Sequence, residues 1–259
     1  MNLTRNTFLI TGGGSGIGLT LAEALVARDS EVIIAARSLD KLQAAQDRGL
    51  QVIHADVSDA ESVRSLASTV VEKYPSTNVV VHNAAICQRE DLLARGNAQV
   101  RDHTVATNLL GPMRLTEALL PHLLKQPAAA VLILTSGLAF VPAALYPTYS
   151  ATKAALHSYS QSLRFQLRNT SVRVIEIVPP YVQTQLGGRA QATDPNAMPL
   201  REFVEEALAI LKSAPSVDEV LVKRVHPHRF AAERGQAGYE AFFQQYNVAA
   251  ADRLGSSRP

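Results

Sequence analysis

Tyr149 and Lys153 stand four apart in Tyr149-Ser150-Ala151-Thr152-Lys153, at the start of a stretch that reads as helix. Four apart on a helix places two side chains on one face in adjacent turns. An ammonium beside a phenol favours the phenolate, so the pairing predicts a tyrosine pKa below its ordinary value of about 10. Such a group can give and take a proton near neutral pH. Tyr-x-x-x-Lys also occurs on plain helix surfaces, so its weight comes from the company it keeps.

The elements that must position the pair alternate along the chain. Phe8–Thr11, Glu31–Ala35, Gln51–His54, Val79–Val81, Ala130–Thr135, Val172–Val178 and Glu219–Lys223 read as strands. Helical spacing covers Ile17–Arg28, Leu39–Gln46, Asp59–Tyr74, Arg101–Lys125, Thr148–Arg168 and Leu200–Lys212. The helix Arg101–Lys125 is expected to break at Gly111-Pro112, and Asp59 is the expected N-cap of its helix. Near-continuous Val/Ile/Leu strands separated by helices predict a parallel sheet covered on both faces. The expectation is one doubly wound, Rossmann-type α/β domain over 1–259 with about seven parallel strands. Gln185–Pro199 reads as a mobile substrate loop. The segment 225–259 reads as a C-terminal extension with a His226-Pro227-His228 turn, an amphipathic piece at Tyr239–Tyr246 and a disordered end at Gly255–Pro259.

Thr11-Gly12-Gly13-Gly14-Ser15-Gly16-Ile17-Gly18 lies between the first strand and the first helix. At that position glycines let the backbone approach a pyrophosphate, and the helix offers free N–H groups. The second strand ends Ala35-Ala36-Arg37. Ala36 takes the place where an acid would hold the ribose hydroxyls of NAD, and the Arg37 guanidinium suits a 2′-phosphate. NADP is therefore preferred over NAD. Asp56, with Val57 beside it, is a candidate contact to the adenine end; capping the next turn is its alternative role.

Bulk numbers bound the partners. Of 259 residues 47% are hydrophobic and 19% charged, with a net charge of +2, which describes a soluble globular protein with a real core. No basic block or acidic tail points to nucleic acid or a membrane surface. The sole cysteine, Cys87, fits a reducing compartment. With no signal-peptide pattern after Met1, a cytoplasmic location is the default expectation.

Taken together, Thr11–Gly18, Asn83-Ala84-Ala85, Asn108, Ser136, Tyr149/Lys153 and Pro179-Pro180-Tyr181-Val182-Gln183-Thr184 resemble the short-chain dehydrogenase/reductase family from Leu3 to Lys223. The resemblance implies a catalytic set of Asn108, Ser136, Tyr149 and Lys153. Tyr149 would be the general acid in reduction, and Lys153 would bind the nicotinamide ribose and lower the Tyr149 pKa. Ser136 would polarise the substrate oxygen, and Asn108 would anchor a proton-relay water. Cofactor contacts would come from Gly12, Gly14, Ser15, Gly16, Ile17, Gly18, Arg37, Asp56, Val57, Asn83, Ala84, Tyr149, Lys153, Pro179, Val182 and Thr184. Val182 and Thr184 would fix the carboxamide.

His82, Ala85 and Pro180 depart from the family's usual Asn-Asn-Ala-Gly and Pro-Gly, which puts substrate access in question. A narrower likeness, through Tyr149–His157, Val174-Ile175-Glu176-Ile177-Val178-Pro179-Pro180 and Met198-Pro199-Leu200, is to the DltE-like branch of bacterial reductases. Its customary label, D-alanine esterification of teichoic acids, names a neighbourhood rather than a reaction and is not carried over.

Leu138, Val141, Tyr146, Tyr181 and Leu186 are expected to build an apolar substrate wall; loop packing is the alternative for the two tyrosines. His82 reads as a hydrogen-bonded core residue, His157 as helix packing or a subunit contact, and Cys87 as a small apolar filler. His226 and His228 lack a third ligand, so no metal is expected. The leading function is NADPH-dependent reduction of a ketone or aldehyde, in a homodimer or homotetramer. The alternatives are an NAD-dependent alcohol dehydrogenase or a non-catalytic NADP-binding sensor.

Overall fold

The computed structural model describes residues 3–94, 96–214 and 216–253. Seven strands among them form one all-parallel sheet: β1 (Thr7–Thr11), β2 (Glu31–Ala36), β3 (Gln51–His54), β4 (Thr77–His82), β5 (Ala129–Leu134), β6 (Val172–Val178) and β7 (Glu219–Leu221). Their order across the sheet is β3-β2-β1-β4-β5-β6-β7. The order reverses between β1 and β4, which leaves a crevice at the carboxyl ends of those strands, where doubly wound sheets bind ligands.

Helices cover both faces: α1 (Gly16–Val26), α2 (Leu39–Gln46), α3 (Ala60–Lys73), α4 (Ala98–Val105), α5 (Gly111–Leu123), α6 (Pro147–Leu167) and α7 (Leu200–Ser213). Successive strand residues point to opposite faces, and the core divides accordingly. Phe8 and Ile10 pack with Leu21, Leu25, Phe203 and Leu208 on one side. Leu9 packs with Val63, Leu66, Leu115, Leu119 and Leu156 on the other. Because β1, β4 and β5 are buried on both faces, their centres run apolar instead of alternating, as in Phe8-Leu9-Ile10, Val79-Val80-Val81 and Val131-Leu132-Ile133.

The element bounds follow the sequence reading within one to three residues, with one informative exception. The long helix does not break at Gly111-Pro112. Its irregular turn is a π-helical segment, Ala106–Leu110, one turn earlier; Pro112 sits in the first turn of α5, where no backbone donor is missed. Asp59 caps α3 as expected, accepting from the Glu61 and Ser62 amides.

The tail is more helical than expected. His226–Arg229 forms the short helix α8, and Gly235–Arg253 forms the 19-residue helix α9. The expected disordered end, Gly255–Pro259, lies outside the described residues. Gln185–Pro199, expected as a mobile loop, carries structure of its own: a 3-10 turn at Arg189–Thr193 and a parallel bridge from Val182 to Met198. No helix among the described residues is long and apolar enough to cross a membrane.

Candidate active site

The glycine turn joins β1 to α1 in a backbone geometry that side chains disfavour. Gly12 has φ +66, in the left-handed region, and a Cβ there would meet the Ala84 Cα at 2.7 Å. A Cβ on Gly18 would meet Asn83 Nδ2 at 2.4 Å. Asn83 explains both constraints. Its Nδ2 donates to the Thr11 and Gly12 carbonyls at 2.9 and 3.1 Å. Thr11 Oγ1 in turn accepts from the Asn83 and Ala84 amides. Asn83 thus clamps the end of β4 to the turn.

Ser15, at the start of α1, makes no side-chain cap, and no acid lies in the first helical turn. The free N–H groups and the positive helix end favour an anion, so the turn fits a dinucleotide pyrophosphate. Beyond it, Arg37 Nη1 donates to His103 Nε2 at 3.2 Å and lies 3.6 Å from Asp56 Oδ2. Lys41 Nζ donates to Ser15 Oγ at 3.3 Å. Two cations and a hydroxyl therefore flank the end of β2; Lys41 was not singled out from sequence. Asp56 accepts from the Ser58 amide and hydroxyl at 2.9 and 2.7 Å. Burial opposes its charge, but these bonds and Arg37 outweigh that and hold its pKa below the usual carboxylate value. Val57 is buried against Gly111.

At the other end of the crevice, α6 presents Tyr149 and Lys153 on one face, with the ammonium 5.6 Å from the ring centre. Ser136, just past β5, lies beside Tyr149 and accepts from the Leu138 amide at 3.1 Å. Asn108 lies in the π-helical segment and is wholly buried. Its amide exchanges two 2.9 Å hydrogen bonds with the Ile86 backbone and reaches Thr152 Oγ1 at 3.3 Å. Thr152 donates to the Tyr149 carbonyl at 2.7 Å. The irregular turn thus points Asn108 between the β4 loop and α6, a use of π turns common at functional sites. Ser136, Tyr149 and Lys153 lie together, and Asn108 reaches them through Thr152.

The electrostatics differ from expectation. Burial raises the Tyr149 pKa, with Cys87 and Tyr246 adding to the rise and only the neighbouring Ser136 hydroxyl opposing it. Lys153 does not acidify the phenol here. Its Nζ donates to the Leu134 carbonyl at 2.7 Å, and burial lowers its own pKa to about 8, with Cys87 and Glu176 working the other way. The spacing fixed which groups meet; the surrounding strands and loops fixed the sign of the shift.

Tyr246 comes from α9, which sequence reasoning left out of the site. His228 stacks edge-on against Tyr246 at 4.8 Å and Phe242 at 5.2 Å. A Cβ on Gly137, next to Ser136, would lie 3.2 Å from the His228 side chain. Asn247 accepts from the Ala144 amide at 2.6 Å and donates to the Pro142 carbonyl at 3.1 Å. The tail is therefore anchored to the segment that leads into α6.

Other expectations divide. Leu138 and Tyr146 are partly buried near the set, Tyr146 with its pKa raised by burial and then by Cys87. Val141 is fully buried and belongs to packing, not to a wall. The Tyr181 hydroxyl donates to Asp194 at 3.1 Å, so this ring packs the loop; Leu186 is exposed. Pro179 accepts from the Gly137 amide at 2.9 Å. The Val182 carbonyl and Thr184 Oγ1 both accept from Gln191 Nε2, at 2.8 and 3.2 Å, and Thr184 Cγ2 lies across from Gly16.

The remaining titratable residues have local explanations. His82 bonds Thr116 at 2.8 Å, and burial drives its pKa to about 3, as suits a core imidazole. Cys87 has its thiol pushed up to about 12 by burial, which makes it inert. His157 packs edge-on against Phe140, and its Nδ1 bonds the Glu176 carboxylate at 2.8 Å. One residue missed from sequence is Glu90, a buried acid 58 positions before its partner. It accepts from the Thr148 amide at 3.0 Å and the Thr148 hydroxyl at 2.7 Å, capping α6 one residue before Tyr149.

Comparison with known proteins agrees with this geometry. The uncharacterized oxidoreductase DltE of Bacillus subtilis strain 168 is 42% identical over 256 residues, 96% of this chain and 99% of that one. An alcohol dehydrogenase from the archaeon Thermococcus sibiricus, solved with 5-hydroxy-NADP, is 27% identical with a TM-score of 0.75, covering 84% of this chain and 96% of that one. A short chain dehydrogenase/reductase from Burkholderia phymatum, solved with NAD, shares the fold at 18% identity and a TM-score of 0.76, covering 90% of this chain and 95% of that one. The short chain dehydrogenase model matches residues 6–195; this chain is a short-chain dehydrogenase/reductase of the DltE-like branch, and an oxidoreductase.

Proposed function

We propose that the protein is an NADPH-dependent carbonyl reductase that converts a ketone or aldehyde with apolar substituents to an alcohol. The observation that carries the reading is the buried Tyr149 and Lys153 on one face of α6, with Ser136 beside the phenol. The bound nicotinamide would supply the hydride, and the protein's part is to hold the carbonyl and deliver a proton. Ser136 and Tyr149 would aim their hydroxyls at the oxygen where negative charge grows. A buried phenol stays protonated at neutral pH, so Tyr149 carries the proton that reduction consumes. Lys153 would steady the phenol and bind ribose hydroxyls. Asn108, locked to Ile86 and Thr152, would hold the proton path behind Lys153.

Cofactor choice rests on Arg37, Lys41 and Ser15, which together suit a 2′-phosphate. The loop 185–199 and the extension from 225 would close the substrate side, with Leu138, Tyr146 and Tyr246 giving it apolar and aromatic character. Phe165, exposed on α6 under the Arg168 guanidinium at 4.0 Å, supports a homodimer or homotetramer contact on that helix, in a cytoplasmic enzyme.

Incubation with NADPH or NADH and a panel of ketones and aldehydes tests the reading. Turnover with at least ~10-fold preference for NADPH, abolished by Tyr149→Phe, is expected. No turnover, or turnover indifferent to Tyr149→Phe, overturns it; a preference for NADH overturns the cofactor assignment alone.

A further inference from the structure

Glu176 is an acid set into a mostly apolar strand, β6. It lies on β6 between Ile175 and Ile177, and none of its surface is exposed. A carboxylate taken wholly out of water is costly unless it is hydrogen-bonded and paired with positive charge. The hydrogen bonds are clear. Thr135 Oγ1 donates to Oε1 at 2.6 Å, and His157 Nδ1 donates to Oε2 at 2.8 Å. His157 Nε2 in turn accepts from Gln161 at 3.2 Å. Thr135 and His157 thus orient the carboxylate from two sides.

The charged and titratable groups that face Glu176 are few. From α6 come His157 and Lys153, one turn apart. From β7 comes Glu219, its register partner, engaged by Arg229 of α8 through bonds of 2.6 and 3.1 Å. Asp218 offers only its carbonyl to the Glu176 amide, its side chain lying 3.4 Å from Arg164. Arg164 is engaged by Asp218. Two cations bear on Glu176: Arg229, which Glu219 holds by hydrogen bonds, and Lys153, whose own nearest acceptor is a neutral carbonyl, Leu134 at 2.7 Å. Lys153 is faced in turn by Tyr149, Cys87 and Glu176. Thr135 links the two sites: it donates to Glu176 and stands in the chain between Leu134, which holds Lys153, and Ser136, beside Tyr149.

We infer that Glu176, held by His157 and Thr135, is a positioning residue that keeps Lys153 protonated beneath the Ser136–Tyr149 pair. This inference rests on the reductase reading for its consequence, but not for its measurement. Burial already brings Lys153 to about 8. Removing a facing negative charge lowers an ammonium pKa further, so the charge on Lys153 would be lost within the physiological range.

The test is a direct titration. The chain has six lysines, Lys41, Lys73, Lys125, Lys153, Lys212 and Lys223, so the Cε carbon resonances of isotopically labelled protein are few, and Lys153→Arg assigns the one at issue. In Glu176→Gln the Lys153 midpoint is expected about one pH unit lower than in the unaltered protein, with the alkaline limb of kcat/KM moving by the same amount. An unchanged midpoint in a folded Glu176→Gln protein overturns the inference and leaves Glu176 a purely structural bridge.

Should that variant not fold, the His157 pair decides. His157→Leu removes the donor and is expected to lower the Lys153 midpoint. His157→Asn, whose amide nitrogen stands where Nδ1 stood, is expected to restore it. Equal midpoints in both overturn the inference. A shifted midpoint in a protein without turnover sinks the reductase reading and leaves this one standing.

Discussion

Around Ser15, Arg37 and Lys41 the polar side chains stand in water; around Ser136, Tyr149 and Lys153 they do not. The Arg37 side chain is 44% exposed, and Lys41 reaches Ser15 across the surface. Asn108, Tyr149 and Lys153 are all buried, each tied to backbone or to another member of the set. Exposed charges attract and orient a ligand but are screened, each giving a modest gain. Buried groups meet little screening, so their charge states are set by a few neighbours and matter more. One end of the crevice is built for recognition, the other for proton transfer.

The sharpest way to break that contrast is to remove the phenol hydroxyl. Tyr149→Phe keeps the ring and the packing of α6 and deletes the proposed donor. A loss of about 10³-fold in kcat/KM is expected, within the range for a general acid, while the cofactor Kd, read by fluorescence, stays within about threefold. A comparable loss in cofactor affinity would show that the two ends are not separable. At the recognition end the pattern should invert. Arg37→Ala with Lys41→Ala is expected to raise the NADPH KM by about 10- to 100-fold, each charge-assisted contact contributing roughly 1.5–3 kcal/mol at most. kcat should change little, and NADH kinetics less still. Equal effects on both cofactors would remove the 2′-phosphate argument.

The same division governs what the sequence discloses. Residue types and spacing were enough for Gly12–Gly18, Ser136, Tyr149 and Lys153, because each sits at a strand end or on one helix face, where local periodicity fixes direction. The turn at Ala106–Leu110 was not legible, since a π turn uses the same residue types as the α-helix around it; the visible breaker, Pro112, turned out to be harmless. The direction of the Tyr149 shift was misread because it depends on burial by β5, α9 and the Cys87 loop, none of them adjacent in sequence. Lys41 and Ser15 are 26 positions apart, and Glu176 and Thr135 are 41 apart. Only the fold puts such pairs in contact.

His82 separates stability from catalysis at the buried end. Its pKa falls from 6.5 to about 3 on burial, so between those values the unfolded chain binds a proton that the native chain refuses. Stability is then fully present above about pH 6.5 and drains as pH falls toward 3, by roughly 1.4 kcal/mol per pH unit in the steep part. Urea midpoints measured from pH 7 to 4 should decline accordingly, and His82→Asn should flatten that slope while lowering the midpoint at pH 7. A slope unchanged by the substitution would assign acid sensitivity elsewhere; His228, lowered to about 4 by burial and Arg234, is the next group in line.

The smallest expected effect lies at the joint between the two regions. Glu90 accepts from the amide and hydroxyl of Thr148, so one buried carboxylate both caps α6 and sets the phase of the turn carrying Tyr149. Pro147 begins the helix without a side-chain cap from Tyr146, which leaves Glu90 to satisfy the first free donor. A carboxylate at a helix N-terminus is also favoured by the helix dipole. Glu90→Gln keeps the shape and one acceptor, and is expected to lower stability by about 1 kcal/mol with kcat reduced only a fewfold. Glu90→Ala removes both acceptors and should cost about 2 kcal/mol, since the Thr148 groups are left buried and unpaired. The informative quantity is the ratio of the two losses. If kcat falls in step with stability across Gln and Ala, Glu90 acts by holding the helix start. A kcat loss in Gln as large as in Ala, at different stabilities, would mean that its charge reaches Tyr149 directly and that the buried region extends beyond α6 itself.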